Sequence, residues 1–326
     1  MTDQSTPESH AGGASSLLAA GGRKAVFARY GQRPSYGIGE RSMRYMLRSL
    51  AYLTVGITFA ILIILFVDAM QFFRQVSVID FITGTHWEPF GEPKKLGVLP
   101  LLMGTLMVAI GSSVVAIPLG LGTAVYLTQY ASPQIRNTVT PVVEVLGGIP
   151  TVVYGYFALT TVTPFLRNIF PTIEVFNALA ASIVVGIAIL PMISSLSVDA
   201  LSAVPVSIRN AGYALGMRKF HVVTKIIIPA ATSGIIASFI LAFARAIGET
   251  MAVVLAAGST PNMELDYLQG IQTMTAFIVQ ISLGDTPAGT IEYYTIYAIG
   301  LSLFLITFAF NILATRIVLR FREVYQ

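Results

Sequence analysis

Arg245 and Glu249 stand four residues apart in the mostly apolar stretch Ala230–Ala257. On a continuous helix that spacing places both side chains on one face. The Arg offers a planar fork of N–H donors that fits the oxygens of a tetrahedral oxyanion. The Glu adds an acceptor, which suits an anion still carrying a proton, such as hydrogenphosphate, and repels a fully deprotonated one such as sulfate. Arg245 lies sixteen residues beyond Pro229, about 24 Å along a helix, which is near mid-membrane if the stretch spans a bilayer. A lone charge at that depth is costly, so such residues face a bundle interior and pair. Two readings stand: a neutralised pair that holds helices together, and an anion site with Thr250 beside it.

Other candidates are sparser. Glu144 and Tyr154 flank the run Gly147-Gly148-Ile149-Pro150, which interrupts a helix and frees backbone groups that neighbours or a water-lined cavity must satisfy. Close helix packing through small residues would explain the glycine pair equally well. Glu144 either serves a pathway or reaches the interface. Several chemistries are excluded or disfavoured. There is no Cys, and His10, His86 and His221 lie far apart, so the spacings of a metal site are missing. No G-x-x-x-x-G-K-[ST] occurs, so the chain has no nucleotide-binding loop of that kind. No nucleophile–base cluster suggests an enzyme, and the basic residues form no nucleic-acid face.

These residues must be positioned by helices in lipid. Of the 326 residues 55% are hydrophobic and 11% charged, against about 25% charged in soluble domains. Six runs are long and apolar enough to span a bilayer: about 47–72, 98–127 (with a tilt or bend expected at Pro118), 139–159, 179–196, 230–257 and 294–313. The expected fold is an all-α, multi-pass integral membrane protein. Residues 1–44 read as a disordered tail and 45–326 as the transmembrane domain. Lys and Arg concentrate on one side. They lie before the first span (Arg23 to Arg48), in the second–third loop (Arg136), in the fourth–fifth loop (Arg209, Arg218, Lys219, Lys225) and after the sixth span (Arg316, Arg320, Arg322). The other side holds Arg74, Lys94, Lys95 and Arg167 and is rich in Asp and Glu. By the positive-inside rule both termini are cytoplasmic. Trp87, with Phe81 and Phe90, sits in the long first outer loop and reads as a docking surface, an interfacial anchor or a packed loop.

The cytoplasmic stretch 199–229 carries the most specific signal. A helix beginning near Ser202, with Pro205 in its first turn, would end at Gly216. A second short helix would follow, with Phe220, Val223 and Ile227 on its apolar side. This makes a knob that a partner protein can grip. The stretch resembles the coupling motif of ABC importer permeases, E-A-A-x-x-x-G-x(9)-I-x-L-P. Ala211, Gly216, Ile226 and Pro229 match at the right spacing, while Asn210, Gly212 and Ile228 depart from it. The departure at Asn210 removes any salt bridge the family's Glu would make.

Arg245-Ala-Ile-Gly-Glu-Thr250-Met-Ala, Gly147-Gly-Ile-Pro-Thr-Val-Val-Tyr154-Gly and Ile117-Pro-Leu-Gly-Leu-Gly-Thr-Ala resemble motifs of the permeases of phosphate-specific ABC importers. The resemblance implies the type I importer fold and transport of phosphate across a bacterial inner membrane. It implies a second permease, two ATPase subunits that bind ATP–Mg, and an extracytoplasmic phosphate-binding protein. It also implies that Asn210, Ala211, Gly212, Leu215, Gly216, Met217 and Phe220 engage the ATPase, with no cofactor in this chain. Its rivals are a permease for another oxyanion, such as sulfate or molybdate, and an ion-coupled secondary transporter.

Overall fold

The computed structural model describes residues 38–320, so the sequence-predicted tail up to residue 37 lies outside the described residues. The first helix, α1 (Ile38–Phe73), begins inside the stretch read as tail, and residues 38–44 are helical. The chain divides into two units, 1–62 and 63–326. In the first, residues 38–62 form helix with Leu47, Tyr52 and Phe59 exposed, the kind of apolar surface that lipid solvates. Thr54 and Thr58 donate back to the carbonyls of Leu50 and Thr54, which satisfies their hydroxyls without water.

The second unit holds the remaining elements. A short helix α2 (Val78–Thr83) and a two-residue antiparallel pairing, β1 (Trp87–Glu88) with β2 (Lys95–Leu96), form the first connecting loop. Helix α3 (Leu99–Val125) continues unbroken through Pro118 and ends in a π turn, Tyr126–Tyr130. The bend expected at Pro118 does not interrupt it. Instead the third run breaks: α4 (Pro133–Gly148) and α5 (Thr151–Arg167) meet at 89°. Pro150 has no N–H to continue the helix. The two glycines differ: a Cβ on Gly147 would lie 3.4 Å from the Pro191 Cβ, whereas one on Gly148 would meet nothing within 4 Å.

Helix α6 (Ala178–Ser202) is capped by Asn177, whose Oδ1 accepts the Ala180 N–H at 2.7 Å. It packs on α3 through small residues: a Cβ on Gly111 would come within 2.8 Å of the Ser182 Cβ, and one on Gly186 within 3.0 Å of the Ser112 carbonyl. This is how helices approach when apolar area gives no advantage over lipid. Then follow α7 (Val206–Ala214), α8 (Lys219–Ala230, with a π turn at Val223–Ile227), α9 (Thr232–Ile247), α10 (Met251–Ala257), α11 (Met274–Leu283) and α12 (Ile291–Arg320). Helices α8 and α9 bend by 69°. Four helices are long and apolar enough to cross a membrane, and six spans result if each bent pair counts as one.

Two features lie outside the expected six-run layout. Helix α11 is apolar but only 10 residues long. Between α10 and α11 the chain is irregular yet seated against the bundle. The carbonyls of Tyr267, Leu268 and Gln269 accept the N–H groups of Leu179, Glu174 and Ala178, and Glu174 Oε2 accepts from Gly270 at 2.8 Å. The segment thus satisfies donors at the start of α6 that a helix end leaves open. Tyr267 donates to the Met107 carbonyl at 2.9 Å, and burial pushes its phenol up from the ordinary range. Trp87 is 3% exposed and meets Phe277 edge-on at 4.9 Å. Of the three expectations for it, the packed loop is the one observed, and Phe90 alone of its aromatic neighbours is exposed.

Candidate functional site

Arg245 sits on the last turn of α9. The side of α9 that faces the bundle carries Ile235, Ser238, Ala242 and Ala246, and the Ser238 hydroxyl meets that of Ser197 on α6 at 3.0 Å. Leu241, Arg245 and Gly248 lie on the outward stripe and are exposed. Among the described residues the Arg245 guanidinium has no hydrogen-bond or ion-pair partner; the ion pairs are Lys94–Glu292 and Lys95–Glu88.

The expected Arg245–Glu249 pair is therefore absent. The helix ends at Ile247, Gly248 closes it, and Glu249 and Thr250 form the break before α10. The i, i+4 relation needs a continuous helix, which this chain does not supply. Instead Glu249 Oε1 accepts the Thr250 N–H at 3.1 Å and the Ala252 N–H at 3.5 Å. The unpaired N–H groups and positive end of α10 offer a carboxylate what Arg245 would have. Thr250 donates to the Gly248 carbonyl and Thr275 to the Glu249 carbonyl, so the break is tied on both sides.

Tyr154 is buried, and its hydroxyl donates to the Leu146 carbonyl at 2.7 Å. That carbonyl is one of the last four of α4 and otherwise accepts the longer Ile149 N–H bond at 3.4 Å, so Tyr154 braces the 89° corner. Glu144 is exposed and lines a 140 Å³ cavity with Asp199, Thr140, Ser194 and Ser195. Two carboxylates and no basic group line that cavity, and Arg245 is not part of it.

The stretch 199–229 forms the expected pair of short helices, with two corrections. Ser202 is the last residue of α6 rather than an N-cap, and Pro205 occupies the position before α7. Phe220 is 63% exposed, while Val222, Val223 and Ile227 provide the buried side of α8. Gly216 has φ +74, the left-handed geometry expected of a residue just past a helix C-terminus. Gly212 is buried: a Cβ there would sit 2.6 Å from Ile226 Cδ1, so glycine at this family-variant position lets α7 lie tightly on α8. Asn210 and Ala211 are exposed, Met217 is half-buried, and Leu215 is 82% exposed. Val206, Tyr213, Leu215 and Phe220 are the large apolar side chains that the knob leaves exposed. The structure adds Arg209 and Lys219, which the sequence presented only as topology charges.

Residues 116–323 match the family described as binding-protein-dependent transport system inner membrane component. The chain belongs to this family. A probable ABC transporter permease protein, YqgH, of Bacillus subtilis is 35% identical over 86% of this chain and 91% of its own length. The phosphate transport system permease protein PstC of Mesorhizobium japonicum is 29% identical over 84% and 88%, and that of Xylella fastidiosa 30% over 76% and 80%. In fold the permease is similar to a bacterial ABC transporter that imports alginate (TM-score 0.62, 13% identity, 87% and 99% covered) and to the MetNI methionine transporter (0.55, 17%, 68% and 96%). It is a transport subunit of the ABC class, which sets the ion-coupled carrier aside.

Proposed function

We propose that this permease is one of a pair of permease subunits in an ATP-driven importer of inorganic phosphate across a bacterial inner membrane. One observation carries the reading: within a spanning segment, Arg245 stands exposed and unpartnered on a helix whose other side is packed. A bare guanidinium in contact with lipid is costly, so this face meets either a second permease or a solvated path. A tetrahedral anion passing there finds the donor fork free. Glu249 is held by α10 through Oε1, and its part is to shape the break with Thr250 and to offer Oε2 to a protonated anion. Tyr154 acts by bracing the corner. The acidic cavity around Glu144 repels anions and lies off the anion's route.

The remaining subunits follow. An extracytoplasmic phosphate-binding protein delivers the anion. Two ATPase subunits carry ATP–Mg and grip the exposed apolar residues of the knob, which lies with both termini on the cytoplasmic side, as the Lys and Arg distribution supports. Leu215→Glu is expected to lower the ATPase retained on purification by at least about tenfold while leaving the permease itself intact, because Leu215 is 82% exposed. Normal retention would place the docking face elsewhere.

A permease for another oxyanion is the second reading, and one observation favours it: Glu249 forms no ion pair with Arg245 and its Oε1 is neutralised by the Thr250 and Ala252 N–H groups, so it opposes a fully deprotonated anion less than a bare carboxylate would. Uptake by vesicles holding all subunits decides. Phosphate uptake that requires ATP and resists a large excess of sulfate supports the first reading. ATP-driven sulfate or molybdate uptake without phosphate uptake overturns it.

A further inference from the structure

We infer that Arg209 is a positioning residue that fastens the knob to the end of α6, so that α7 and α6 move as one lever. The inference rests on the reading above that a separate ATPase drives this permease through α7 and α8. Arg209 Nη2 donates to the Leu201 carbonyl at 2.6 Å. That carbonyl belongs to the last turn of α6, where no backbone N–H can reach it and where a positive charge is favoured by the helix dipole. Only Ala203, Val204 and Pro205 join the two helices covalently. A three-residue link leaves a hinge unless something spans it.

The surroundings suit a fixed joint. Leu201 is fully buried, and with Val204, Val222, Val223 and Ile227 it forms a separate apolar cluster at this end of the bundle. Gly212 lets α7 lie against Val222 and Ile226, so the knob is stiff within itself. Its second attachment is the Lys219 ammonium, 4.8 Å from the Tyr130 ring at the end of α3, a cation–π contact. The Arg209 Nε–H is buried and has no partner. A guanidinium serving only solubility or topology would turn that donor to water. This one keeps it buried while holding Leu201. An apolar knob packed only through the cluster could slide, whereas a directional charge-assisted bond to a helix end sets orientation as well as distance.

The test uses the complete importer in proteoliposomes, with inorganic phosphate uptake and ATP hydrolysis measured in the same vesicles. Arg209→Met and Arg209→Gln are expected to keep the ATPase bound and hydrolysis within about twofold of wild type, while phosphate moved per ATP falls at least about tenfold. Arg209→Lys keeps a charged donor for Leu201 and is expected to recover most of that ratio. An unchanged ratio in whichever neutral variant assembles overturns the inference. So does failure of both neutral variants to assemble, which would make Arg209 a folding or docking residue. If the wild type hydrolyses ATP without moving phosphate, the substrate reading fails and the joint is judged independently of it. The chain has no Cys, so spin labels can be placed at exposed Ser195 on α6 and Ala214 on α7. A narrow distance distribution in the wild type that broadens in Arg209→Met supports the joint, and equal widths overturn it.

Discussion

Arg245→Gln stops ATP-dependent phosphate uptake, by at least about a hundredfold, in vesicles that hold the complete set of subunits. The magnitude follows from two lost charge-assisted hydrogen bonds, each about 1.5–3 kcal/mol, which a neutral amide only partly replaces. The permease should still assemble, because Arg245 is exposed and holds no other described residue. Co-purification of the ATPase checks this directly. Arg245→Lys keeps the charge but loses the fork and is expected to fall between the two, about tenfold below wild type. Wild-type uptake by Arg245→Gln would mean that the exposed guanidinium serves contact with another subunit and that the anion passes elsewhere.

The second large effect concerns stability. A Cβ on Gly104 of α3 would lie 2.4 Å from the Gln272 carbonyl oxygen and 3.0 Å from its carbon. Both sides of that contact are backbone, so neither has a flexible end that can move aside. Next to it, the Thr105 hydroxyl accepts the Met274 N–H at 3.0 Å. Gly104→Ala is therefore expected to unseat the segment between α10 and α11 and to cost about 3 kcal/mol or more, at the high end for overpacking. The readouts are the fraction surviving a heat challenge in detergent and protease cleavage between residues 258 and 273. Gly148→Ala is the control, since a Cβ there meets nothing within 4 Å. Equal heat survival of the two variants would show that the segment does not depend on the close approach at Gly104.

The six apolar runs were legible because lipid makes a single demand on all of them: about 20 apolar residues whose backbone groups bond within the segment. The corner at Pro150 was legible for a local reason, a residue without an N–H after two glycines. The turn at Gly216 was legible too, because left-handed backbone favours glycine. Each depends on groups within a few residues of one another.

What the sequence left open depended on groups far apart in the chain. Arg245 and Glu249 looked like neighbours only on the assumption that the helix ran on. Whether a carboxylate turns to a guanidinium or to the N–H groups of α10 is decided by where α9 stops, and Thr275, 26 residues away, holds that break. The seated segment at 258–273 carries no long apolar run. It is held because its carbonyls meet the start of α6 about 90 residues earlier. Arg209 read as one more positive charge on a cytoplasmic loop until the end of α6 was placed beside it. The sequence alone determined that this is a membrane bundle with a two-helix knob, because solvent and local backbone chemistry are written residue by residue. The tertiary structure decided which charges are paired, capped or bare, because burial and partners are supplied by segments distant in sequence.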